Sequence, residues 1–204
     1  MIDPEYSETE MAIIQAAKQV FHKNGFDGAR MQEIADEAGI NKALLHYYFR
    51  NKDKLFAAVF KDAFMQSFRP LIQIMMSDEE LEVKVPRFVN HYIDQILANP
   101  FIPGFVLHEL SRNPDRLISF INEHTIVKTS KFIQQIEHGT LSGKYRPIDP
   151  KQAMAHLVSM IVFPFIAKPM IKFALGFDEE SDYHNFIEAR RQEIPIAFFN
   201  ILKP

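Results

Sequence analysis

The sequence predicts an all-α protein of about nine helices. Three observations carry that expectation. Helix-start signals recur along the chain: Ser7 with Glu10, Ser77 with Glu80, and cap residues before proline at Asn113-Pro114 and Asp149-Pro150. Between them, apolar residues repeat at three- and four-residue spacing, as on one helix face. Alternation of period two, the mark of a half-buried strand, is nowhere sustained.

The elements follow in order. Ser7 opens a first helix whose apolar stripe is Ile13, Ala17, Val20 and Phe21, stopped by Asn24-Gly25. Met31, Ile34, Ala35 and Ala38 mark a second, shorter helix ended by Gly39. Asn41 is a good N-cap for a third, which carries Leu44, Leu45 and Tyr48. Asn51 caps a long fourth helix through Met76, with a bend expected at Pro70 because proline removes an N–H and clashes with the preceding turn. A helix is expected from Ser77 to Asn99. Two more start at Asn113-Pro114 and Asp149-Pro150, separated by the loop "HGTLSGKYRPID", and a last one follows Ser181. No repeat, low-complexity segment or flexible linker interrupts the pattern, so the joint near Asn51 is expected to be rigid.

Composition narrows the function classes. The chain is 47% hydrophobic, enough for a real core. Its start, "MIDPEYSETE", is acidic and polar, unlike a secretory signal. The longest apolar run, Leu157–Ala167, contains Pro164 and ends at Lys168, short of the roughly 18 residues of a membrane span. The absence of cysteine excludes disulfides and thiolate metal ligands and fits a reducing compartment. A cytoplasmic protein with no membrane contact is expected. The net charge of −3 argues against indiscriminate coating of nucleic acid. Between Ala38 and Phe56, however, Lys42, Arg50, Lys52 and Lys54 face Asp53 alone, a local charge of +3.

That patch lies in "GINKALLHYYFRNKDKL", residues Gly39 to Leu55. A short helix, a glycine turn and a second short helix make a helix-turn-helix pattern, whose second helix enters the DNA major groove. Leu45 and Phe49 are four apart and share a face, so they anchor that helix to the core. Lys42, Ala43, His46 and Tyr47 fall on other faces and are candidates to meet DNA. Lysine and tyrosine reach phosphates, histidine or lysine reaches a base edge, and Ala43 can touch a thymine methyl. Tyr48 and Phe49, as amphipathic rings, divide between core packing and DNA contact. Lys52, at the start of the fourth helix, adds its charge to the free N–H groups there and is expected to clamp a phosphate.

Residues Ile13 to Phe60, "IIQAAKQVFHKNGFDGARMQEIADEAGINKALLHYYFRNKDKLFAAVF", resemble the N-terminal DNA-binding domain of the TetR/AcrR transcriptional regulators. The matched features run in order: "AA" then "F" in the first helix, "GF", "IA", "AG", a short helix ending "YYF", and "NKDKL". The resemblance implies a homodimeric, ligand-responsive regulator, usually a repressor, that binds double-stranded operator DNA and a small-molecule effector. Carried over, it places DNA contacts at Met31 and Gln32, then Lys42, Ala43, His46, Tyr47 and Tyr48, then Lys52. Ala29 and Arg30 stand where the family often has hydroxyl residues, and Arg30 can replace such a phosphate contact with a charged one. Leu44 and His46 replace a small polar residue and a tyrosine, so the operator is this chain's own.

The expected organisation is a helix-turn-helix domain at 1–51 and a larger helical ligand-binding and dimerisation domain at 52–204. Most of the 19 Phe and 9 Met lie in the second part. Most are expected in the core, but "FIPGFVLHEL" and "SMIVFPFIAKPMIKF" mix aromatics with prolines, which opens irregular apolar gaps. By resemblance the inducer binds here. The candidate contacts are Phe64, Phe68, Tyr92, Phe105, His108, Phe120, His124 and Phe163, for a largely apolar ligand. His91, His108, His124 and His156 show no recognised metal-ligand spacing, so no metal site is expected. No phosphate loop or nucleophile elbow appears, so neither catalytic residues nor a cofactor are expected. Ile187, Ile194, Phe198 and Ile201 form a stripe on the last helix, interrupted by Arg191, and are the expected dimer interface. With the apolar helix around Ala153–Ile161 they would build a two-fold four-helix bundle. The competing reading is an all-α small-molecule carrier or enzyme that keeps a helix-turn-helix-like start. Exposure of Lys42, Tyr47 and Lys52 discriminates, since a carrier has no use for it.

Overall fold

The computed structural model describes residues 6–112, 114, 115, 118 and 131–204, and at 65–67, 105, 108, 109 and 112 the backbone alone. Among the described residues there are ten helices and no strand. They are α1 (Glu8–Gly28), α2 (Met31–Glu37), α3 (Lys42–Tyr48), α4 (Lys52–Met76), α5 (Leu81–Ala98) and α6 (Ile102–Arg112). After these come α7 (Lys131–Leu141), α8 (Pro150–Ile166), α9 (Lys168–Leu175) and α10 (Glu180–Leu202). No single described helix is long and apolar enough to cross a membrane.

Local chemistry sets most boundaries. Ser7 and Glu10 make the reciprocal capping box. The Asn41 side chain accepts from the Leu44 N–H at 2.8 Å, and Asn51 accepts from Lys54 at 2.9 Å. Asp149 caps α8 by accepting from the Lys151 N–H at 2.8 Å. Gly25 has φ 68°, which breaks α1 one turn before its end. Ser77 does not cap α5; its hydroxyl donates to the Ile74 carbonyl at 2.8 Å and closes α4 instead, and α5 begins at Leu81. The tenth helix arises because the apolar run breaks at Ala167. Pro169 restarts the chain as α9, bent by 82° from α8. Asn113 lies outside the described residues.

The chain groups into two compact units, Met1–Gln66 with Asn99–Phe105, and Ser67–Ala98 with Val106–Pro204. In the first, α1 packs on α2 and α2 on α3. Its core holds Ile13, Ala17, Phe21, Ile34, Leu45 and Phe56. The Phe21 and Phe56 rings meet edge-on at 4.6 Å. Asn24 donates to the Glu33 carboxylate at 2.8 and 2.9 Å, tying α1 to α2.

In the second unit α10 packs on α5 and α8, and α7 on α8. The core includes Leu81, Phe88, Phe132, Leu157, Ile187 and Phe198. Burial pushes the Tyr92 hydroxyl up to about 12. Burial, reinforced by Glu180, does the same for Tyr183, whose hydroxyl donates to the Pro164 carbonyl at 3.1 Å. The unfolded tyrosines release their protons near pH 10, so above that pH the folded state holds more protons and stability falls. The loss amounts to about 1.4 kcal/mol per tyrosine by pH 11. Urea unfolding at mildly and strongly alkaline pH checks this. A double Tyr92→Phe/Tyr183→Phe variant that falls as steeply as the wild type would refute the assignment.

Candidate functional site

The site is built on α2, the turn at Gly39 and α3. Gly39 has φ +66°, a left-handed backbone that glycine adopts without strain. Its N–H donates to the Asp36 carbonyl at 3.1 Å, and the Ile40 N–H to Ala35 at 3.0 Å, so the turn is closed by the end of α2. Leu45 shows no exposed surface and Phe49 is buried, which seats α3 on the core. The opposite side of α3 is open. Lys42, Ala43, His46 and Tyr47 are exposed, Tyr47 at 78%. So is Leu44, next to the buried Leu45.

Each remaining candidate has a definite place. Arg30 is exposed at the N-cap of α2 and makes no cap hydrogen bond. Gln32 is exposed, with its amide donating to Asp36 at 2.8 Å, while Met31 is half-buried. Tyr48 is half-buried and meets Tyr47 edge-on at 5.2 Å. The His46 Nδ1 lies 3.1 Å from the Arg50 carbonyl, which only accepts. Nδ1 therefore carries the proton, and Nε2 is the nitrogen left to meet a partner. Lys52 differs from its expectation. Its ammonium donates to the carbonyls of Phe26 at 2.8 Å, Asp27 at 3.3 Å and Ala29 at 3.2 Å, and sits 4.5 Å over the Phe26 ring.

Of the expected ligand contacts, Phe64, Phe68, Tyr92 and Phe163 have described side chains. Phe64 is buried in the first unit against Phe60 at 5.2 Å. Phe68 and Tyr92 belong to the second unit and meet edge-on at 5.9 Å, with Phe88 5.6 Å from Tyr92. Phe163 is half exposed on α8. Phe105 and His108 lie on α6 with their side chains outside the description, and Phe120 and His124 lie outside the described residues. A cleft of about 520 Å³ does occur in the second unit, but it is polar, with Glu80, Lys131, Gln134, His138 and Tyr145 in its walls. The hydrogen bond from Lys131 holds the Asp78 carboxyl, also in its wall, below the usual carboxylate range. Gly139 lets the Tyr145 ring lie flat on α7, since a Cβ there would stand 2.2 Å from the ring.

The expected dimer stripe is core. Ile187, Ile194 and Phe198 are buried within their own chain, against α5 and α8, and Ile201 is half-buried. Arg191 does not simply interrupt it: the guanidinium pairs with Asp94 at 2.8 Å and Glu188 at 2.8 Å, bridging α10 to α5. Exposed apolar residues on α8 to α10 include Phe163, Ile166, Met170, Phe173, Leu175 and Ile196. A functional reading of residues alone also missed the buried Lys84 and its partner Gln135, half-buried, in the second unit. The available signal was a lysine on the apolar stripe Leu81, Lys84, Val85 and Phe88.

Comparison with known proteins agrees with this geometry. The model for "Bacterial regulatory proteins, tetR family" matches residues 13–59. Over 168 residues the chain is 30% identical to the HTH-type transcriptional regulator RutR of Escherichia coli K12, covering 76% of this chain and 71% of that one. It is 32% identical over 90 residues to the HTH-type transcriptional repressor SCO4008 of Streptomyces coelicolor, 44% of each chain. The crystal structure of FadR from Bacillus subtilis in complex with stearoyl-CoA shares the fold, with TM-score 0.64 at 17% identity over 94% of this chain and 98% of that one. With α3 seated by Leu45 and open along Lys42, Ala43, His46 and Tyr47, and with a relative of this similarity over most of its length, the chain belongs to the tetR family of bacterial regulatory proteins and is a DNA-binding transcriptional regulator.

Proposed function

We propose that the chain is a cytoplasmic, homodimeric repressor whose residues 1–51 hold operator DNA and whose residues 52–204 bind a small molecule that releases it. The observation that carries the DNA reading is the open face of α3: Lys42, Ala43, His46 and Tyr47 exposed on a helix whose Leu45 is fully buried. Lys42, Arg30 and Tyr47 contact phosphates, while Ala43 and the His46 Nε2 meet base edges. The repressor sense follows the SCO4008 likeness, and a largely apolar effector follows the aromatic cluster of Phe68, Phe88 and Tyr92 together with the acyl-CoA bound to FadR. A carrier or enzyme is disfavoured because its relatives are regulators. Selection of duplexes from a randomised pool tests the reading: the protein enriches a two-fold symmetric sequence with half-sites about 34 Å apart. A pool returned without enrichment rejects it.

The dimer is proposed to use the exposed apolar residues of α8 and α9. Phe173 is 89% exposed, and Met170 and Phe163 are also open, too much apolar surface along one short stretch for a lone monomer. Met170→Asp with Phe173→Asp is expected to give a soluble, folded monomer, since neither side chain supports the chain's own core. Light scattering that still finds a dimer moves the interface elsewhere.

A further inference from the structure

We propose that Lys52 is a positioning residue that clasps the two ends of the helix-turn-helix together, and that it is not a phosphate contact. The inference rests on the DNA-binding reading above and concerns how α3 is held. The last carbonyls of a helix have no partner within it and carry the negative end of its dipole. In α1 this need is acute. Gly25 breaks the helix, and the final turn contains no basic residue. The cation comes from elsewhere in the chain. Lys52 Nζ donates to the carbonyls of Phe26, Asp27 and Ala29, at 2.8, 3.3 and 3.2 Å. An ammonium has three N–H donors, so these three acceptors use all of them. The face of the Phe26 ring, 4.5 Å away, further holds the charge.

The place of the clasp gives it meaning. Ala29 is buried and directly precedes Arg30, the N-cap of α2. Lys52 is the first residue of α4, three positions after Phe49, the C-cap of α3. One side chain therefore joins the residue that enters α2 to the residue that leaves the α3 turn. The whole helix-turn-helix lies inside the closed loop. A phosphate bound by Lys52 would have to take a donor from one of these carbonyls and leave that carbonyl unpaired. Arg30, Lys42 and Tyr47 are exposed and have no such conflict.

Clasp and clamp differ in what their loss does. Removing a phosphate clamp weakens every duplex alike and makes the slope of log K against log salt shallower by about 0.9. Removing a clasp lets α3 tilt. Base contacts suffer first, phosphate contacts survive, and the slope stays. The test uses the full chain, a duplex selected by the wild-type protein from a randomised pool, and a scrambled duplex of equal length. Both are titrated by fluorescence anisotropy at several salt concentrations. Lys52→Met keeps the apolar stem and removes the donors. It is expected to lose about tenfold or more on the selected duplex, the worth of at least one base contact, with little change on the scrambled one and the wild-type salt slope. Lys52→Arg is the second variant, needed in case Lys52→Met fails to fold. Arginine keeps the charge, but its planar fork does not converge on three carbonyls as an ammonium does. It therefore also loses discrimination if Lys52 is a clasp, and keeps it if Lys52 is a clamp. Equal losses on both duplexes with a shallower slope, unchanged affinity in Lys52→Met, or full discrimination in Lys52→Arg each overturn the proposal. If the wild type enriches no duplex, it is the DNA reading that has failed, and this outcome is separate from the others.

Discussion

Phe198→Ala is expected to lower the unfolding free energy by about 4 kcal/mol. Phe198 shows no exposed surface, and its ring lies 6.0 Å from Phe132 and 5.5 Å from Phe199. Truncation removes the transfer energy of a buried phenyl group and leaves a cavity between α10 and α7 that neighbouring helices close only in part. The same substitution separates a core role from an interface role. A core penalty persists when the chain is monomeric, so it should be undiminished in the Met170→Asp/Phe173→Asp background. An interface penalty would vanish there. Urea unfolding of both backgrounds decides, and a loss under about 1 kcal/mol in the monomeric one would return Phe198 to the subunit contact.

Lys84→Met is expected to cost about 3 kcal/mol, the second large effect. Lys84 is fully buried on α5. Its ammonium donates to the carbonyls of Ser77 at 2.8 Å and Met75 at 3.4 Å and to the Gln135 side chain at 2.7 Å. The Gln135 amide in turn donates to the Glu79 carbonyl at 2.8 Å. The lysine thus caps the end of α4 and pins α7 to the loop before α5. Methionine matches the stem but leaves three acceptors, one buried and two part-buried, without this donor, and a buried hydrogen bond left unmade is costly. Stability equal to or above wild type would show that relief of the buried charge outweighs them. The pH profile gives an independent check. Burial holds the Lys84 ammonium below its ordinary value, with Asp78 and Glu79 partly opposing. As pH rises the folded lysine releases its proton first, so the unfolded chain binds more protons and stability climbs toward pH 10.5. Lys84→Met should flatten that climb and leave the tyrosine-driven fall above pH 10 intact.

These residues mark how far the sequence could be read. The Ser7, Asn41, Asn51 and Asp149 caps were legible because each closes a hydrogen bond two or three residues away. Leu45 and Phe49 were legible as anchors because helical spacing puts them on one face. The break at Ala167 was only half visible: the prolines signalled irregularity, but whether Pro164 and Pro169 kink one helix or start another depends on what the chain packs against. Phe198 and Ile196 show a further limit. α10 carries apolar residues on several sides, and spacing alone does not say which side meets α5 and α8 and which stays open.

Residue order alone therefore settled the all-helical class, most helix starts and the exposed face of α3, since these follow from interactions within one or two turns. Tertiary structure decided the partners of charged groups. Lys52 reads as a cation at a helix start until the folded chain brings the Phe26 carbonyl, 26 positions away, to 2.8 Å. Lys84 lies on an apolar stripe, but its partner is fixed only when Gln135, 51 positions away, comes within 2.7 Å. A flexible side chain can satisfy its donors with water or with any acceptor in reach, and nothing in its sequence neighbours records which one folding supplies. Only the packed chain removes the water and leaves one set of partners.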